Sequence, residues 1–91
     1  MRPLTHALPG ALVQLLRDAP LSDGKVGFAW RTAVGPALER ATKVKLERKV
    51  LIVETTSQQW SREVMRSSPM ILKRLQVLLG DVVDRIEVRR A

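Results

Sequence analysis

WSREVMRSSPMILKRLQVLLG, running from Trp60 to Gly80, is the stretch whose reading decides the fold. Trp60, Val64, Ile71, Leu75, Leu78 and Leu79 recur at spacings of three, four and seven, which lines them along one side of a helix. Arg62, Arg66 and Lys73 follow the same spacing on a different face, with Arg74 beside them. Upstream, Ser57 can cap the free backbone N–H groups, and Gly80 suits a left-handed stop. Pro69 lacks a backbone donor, so the sequence predicts a kink or a break there. One face of the helix is for a core, and the other is a candidate for an anionic partner.

Working outward, the period changes on both sides of this helix. Val44 and Leu46 alternate with Lys43, Lys45 and Glu47, as in a strand with one wet face. Val50-Leu51-Ile52-Val53 is a continuous apolar run and reads as a strand covered on both faces for part of its length. Glu47-Arg48-Lys49 forms the turn of the hairpin between them. Beyond Gly80, Asp81 and Asp84 bracket a turn, and Arg85 to Arg89 alternate as a third strand. Before the hairpin, Leu8, Leu12, Leu15 and Leu16 predict a short first helix, with Pro9 tolerable in its first turn and Pro20 ending it. Ser22 or Asp23 can cap a second helix running to about Ala41, which Gly35-Pro36 should bend or split.

The resulting order is α-α-β-β-α-β in a single domain over residues 1–91. The expected fold class is α+β, a three-stranded sheet covered on one face by helices. Ninety-one residues support one core and not two. There is no cysteine, which excludes disulfides and thiolate metal sites, and the single histidine, His6, has no partner for a zinc site. No apolar run approaches the roughly 20 residues of a membrane span, and no signal-peptide core opens the chain, so a cytoplasmic protein without cofactor is expected. Neither a nucleophile–base pair nor a metal cluster offers itself, which argues against an enzyme.

The formal net charge of +7 points to a polyanion, because phosphate binding releases condensed counterions. The candidate nucleic-acid contacts are Arg40, Lys43, Lys45, Arg48 and Lys49 around the hairpin, and Arg62, Arg66, Lys73 and Arg74 on the long helix. Gly24-Lys25-Val26-Gly27 also spells G-x-x-G, the phosphate-clamping loop of KH domains, although two glycines at this spacing are cheap to find by chance. Trp30 and Trp60 each sit among Val and Leu at helical spacing and are expected in the core; exposed, either could stack on a base for about 1–3 kcal/mol.

In order and spacing, Trp30, Val34-Gly35-Pro36, Leu38, the basic hairpin, Leu51-Ile52-Val53, Ser57-Gln58-Gln59-Trp60, Glu63-Val64, Ile71-Leu72, Leu75, Leu79-Gly80 and Ile86-Glu87-Val88 form one pattern. It resembles the DciA family of bacterial proteins that assist the replicative helicase DnaB, over about Ala7 to Arg89. The resemblance implies a small KH-like domain that binds DNA and helps load DnaB onto single strands, without nucleotide hydrolysis of its own. The sequence agrees, having no G-x-x-x-x-G-K-[ST] loop and no acidic pair for magnesium. Many members carry a further tail, and this sequence stops at Ala91; a helicase contact made by such a tail would have to move onto the folded domain or be lost. Two alternatives remain open from the residues: a KH-like RNA-binding domain working through Gly24–Gly27, and a protein-interaction module that binds no DNA, with its anchor in the first helix or in Leu4–Leu8.

Overall fold

Helix α4, Gln58–Leu79, is the longest element, and the core is assembled along its buried side. The computed structural model describes residues 10–90; the expectations resting on Leu4, His6, Leu8, Pro9 and the side chain of Leu12 lie outside the described residues. Val64, Ile71, Leu75, Leu78 and Leu79 of α4 are buried, as the spacing predicts. The Ser57 hydroxyl accepts from the Trp60 N–H at 3.1 Å, and Gly80 ends the helix at φ 79°. Of the kink or break expected at Pro69, the break does not occur: α4 runs through it as one helix. Pro69 and Met65 both face solvent, so water can solvate the Met65 carbonyl that loses its i+4 donor.

Ahead of α4 come α1 (Gly10–Asp18), α2 (Asp23–Val34) and α3 (Pro36–Arg40). Ser22, not Asp23, caps α2, accepting from the Lys25 N–H at 3.1 Å. The expected interruption at Gly35-Pro36 is a full split: Gly35 takes φ 87°, open to glycine, and Pro36 starts α3 where its missing N–H costs nothing. Trp30, Ala29 and Ala33 of α2 and Leu38 of α3 are buried in the core shared with α4.

Strands β1 (Thr42–Glu47), β2 (Val50–Thr55) and β3 (Arg85–Arg90) form one sheet in the order β1-β2-β3. β1 and β2 pair antiparallel, and β2 and β3 pair parallel, with α4 and a short 3-10 turn, Gly80–Val82, as the crossover. The hairpin turn is two residues, Arg48-Lys49, because Glu47 already pairs with Val50. The register puts Val44, Val53 and Val88 in one row and Leu46, Leu51 and Ile86 in another, both facing the helices. Lys45, Ile52 and Glu87 form a row on the opposite face. Leu51, Ile52 and Val53 are buried in succession, so β2 is covered on both faces for part of its length as the sequence expects, although no described helix lies over Ile52. Ile52 is 9% exposed because the long charged side chains flanking it shelter it. The molecule measures 37 × 34 × 20 Å, and the short dimension is that of one sheet and one helix layer.

Candidate nucleic-acid interface

The sheet register and the path of the chain decide where each basic residue lies. Thr42 pairs with Thr55, and Thr55 with Arg90. Arg40 lies two residues before Thr42, and α4 begins three residues after Thr55. One end of the slab therefore gathers Arg40, Lys43, Arg89, Arg90 and the first turns of α4 with Arg62 and then Arg66. The positive end of the α4 dipole points the same way. All six of these cations are exposed. Arg40 turns its Nε back to the Pro36 carbonyl at 3.3 Å, Lys43 stands across from Glu54, and Arg66 is paired with Glu63. Arg89 is paired with Glu87 at 2.6 Å, whereas Arg62 makes no ion pair among the described residues.

The other candidates fall elsewhere. Lys45 binds Glu47 at 2.8 Å on the uncovered sheet face. The Glu47 carboxylate, hydrogen-bonded to it, raises the Lys45 pKa, and Lys45 lowers that of Glu47 in turn. Arg48 and Lys49 lie at the hairpin tip, at the opposite end from the start of α4. There Asp23 lines the same cavity as Arg48 and Lys49, and the Asp84 N–H donates to the Lys49 carbonyl. Lys73 is exposed on the outer side of α4, about two turns beyond Arg66. Arg74 is half-buried and donates from Nη1 to the Ala33 carbonyl at 3.0 Å, tying α4 to the end of α2. The hairpin and the helix thus do not present one continuous basic surface: Lys43 and Lys45 point from the open sheet face, and Arg62, Arg66 and Lys73 from the far side of the helix layer. They approach each other only around the end where β2 leads into α4.

Arg89 and Arg90 belong to this end, and the sequence did not single them out. The only signal was the basic end of an alternating strand; their place beside Lys43 and the start of α4 follows from the parallel pairing of β3 with β2.

The tryptophans separate. Trp30 is 2% exposed and donates from its indole N–H to Thr42 Oγ1 at 2.9 Å. Trp60 is half-buried against the core, in a cleft between α3 and α4 with Leu38 and Met70. Gly24–Gly27 is no loop: it forms the first turns of α2, and the buried Lys25 donates to the Arg17 and Ala19 carbonyls at 3.2 and 2.7 Å. The motif therefore secures α1 to α2, and the ammonium that a phosphate clamp would present is already occupied. Among the described residues no group of His, Asp or Glu side chains could hold a metal ion, and no helix is long and apolar enough to cross a membrane.

A family model described as "Dna[CI] antecedent, DciA" matches residues 3–88. No curated protein and no solved structure matches.

Proposed function

The chain belongs to the DciA family, whose members take part in loading the replicative helicase DnaB, and we propose that it does so by holding single-stranded DNA at its basic end. The observation that carries this reading is the gathering of Arg40, Lys43, Arg62, Arg66, Arg89 and Arg90 where β2 and β3 end and α4 begins. These cations come from three separated parts of the sequence and outnumber their acidic neighbours, Glu39, Glu54, Glu63 and Glu87. A single strand laid across this end meets phosphate contacts and few aromatic faces, so the reading is of binding with little sequence preference. The protein contributes position and charge, and catalysis stays with the helicase in the cytoplasm.

The test is a fluorescence-anisotropy titration with labelled single-stranded DNA at two salt concentrations, with and without purified DnaB. Affinity is expected to fall steeply with salt, and Arg40→Ala, Lys43→Ala and Arg62→Ala each to lower the log–log salt slope by roughly one. DNA binding unchanged by salt would overturn the reading. Helicase association without DNA binding would leave a protein-interaction module.

A further inference from the structure

The hairpin tip holds two features that the DNA reading leaves unused. Arg48 and Lys49 take φ values of 49° and 68°, the pattern of a type I′ turn, which favours Asn-Gly. A side chain in this region costs about 1 kcal/mol or more per residue, and here two adjacent long cations accept it. The turn is held in place by the Asp84 N–H, which donates to the Lys49 carbonyl at 2.7 Å. Glu47, the neighbouring acid, is engaged by Lys45, so neither Arg48 nor Lys49 has an ion-pair partner among the described residues.

Beside these cations opens a cavity of about 410 Å³ floored by Leu21, Val26, Leu46 and Val82. Leu21 is 54% exposed, which is a large apolar side chain left in water. The floor is aliphatic and offers no ring for a base to stack on, so it suits a protein side chain better than a nucleotide. Two unpaired cations on one rim suit carboxylates flanking that side chain. Asp23 also lines the cavity, so the segment's carboxylates belong beside Arg48 and Lys49 and away from it.

We infer that this cavity is the docking site for an acidic segment of the helicase carrying an apolar anchor, at the end of the molecule opposite the DNA. The inference rests on the helicase-loading reading and adds the surface that meets the partner. DNA and helicase then occupy the two ends of one rigid slab, so neither displaces the other.

The double substitution Arg48→Asn with Lys49→Gly removes both charges and installs the preferred turn, so misfolding cannot account for a loss. It should raise the melting temperature by roughly 5 °C, weaken DnaB binding about tenfold, and leave single-stranded DNA affinity unchanged. Leu21→Glu, at an exposed position, should weaken DnaB binding likewise. Unchanged DnaB affinity in both variants overturns the inference while leaving the proposed function standing. A loss of DNA affinity with helicase binding intact also overturns it and assigns the tip to phosphate. Failure of the intact chain to bind DnaB overturns the proposed function and this inference together.

Discussion

Lys25 shows how one side chain can settle the meaning of a motif. It is 9% exposed, and its ammonium meets the last carbonyls of α1, where a cation also complements the helix dipole. Methionine matches its length and apolar stem but cannot donate. Lys25→Met is expected to destabilise the domain by about 1–3 kcal/mol in urea unfolding, since the carbonyls lose a charged donor in a half-buried site. An unchanged midpoint would mean that water already satisfies them. Trp30 makes the same point in the core: its ring is buried, and its one polar atom reaches Thr42 at the start of β1, which in turn donates to the Leu38 carbonyl at 2.8 Å. Sequence periodicity places Trp30 on a buried face and gives no such sign for Lys25, and the polar partners of both come from other elements and are not legible in a local pattern.

Among the elements, α4 carries the largest departure from expectation. A proline in a helix interior removes a hydrogen bond and crowds the carbonyl four residues back, yet α4 runs unbroken past Pro69. Packing explains it: Val64 on one side of the proline and Ile71, Leu75 and Leu78 on the other are buried in the same core, which favours one continuous helix. Pro69→Ala should therefore restore a bond to the Met65 carbonyl and stabilise the domain by about 1–3 kcal/mol, read as a raised melting temperature. A lower melting temperature would show that the proline shapes α4 in a way the core requires. At Gly35-Pro36 the same residue type acts differently, because a glycine at positive φ precedes it and the chain turns before α3. The two prolines are distinguished by their neighbours and not by their own chemistry.

On the scale of the whole molecule, the fold distributes a uniform-looking excess of positive charge into two unlike ends. The end where β2 leads into α4 has surplus cations over a polar surface, and the hairpin end has two cations, unpaired among the described residues, beside an aliphatic cavity. Because the ends lie at opposite limits of strands that span about 20 Å, screening at physiological salt leaves little coupling between them. Combining Arg62→Ala with the Arg48→Asn, Lys49→Gly pair should give additive effects: the DNA loss of the first and the helicase loss of the second, each within about 0.5 kcal/mol of its single-variant value by titration. A marked departure from additivity would show that the ends communicate.

The sequence by itself determined the α+β class, the long amphipathic helix with its Ser57 cap and Gly80 stop, the hairpin, the third strand and the identity of nearly every core residue. These follow from local periodicity and end chemistry, which act over a few residues. It also carried the family pattern, since that is an order of residues along the chain. Only the tertiary structure decided which cations stand together. Lys43 and Arg89 are far apart in sequence and share one row with Glu54, while Lys45 and Lys43, two residues apart, divide between an ion pair and the basic end. Strand register and the α4 crossover set those distances, and both are fixed by which apolar rows meet in the core.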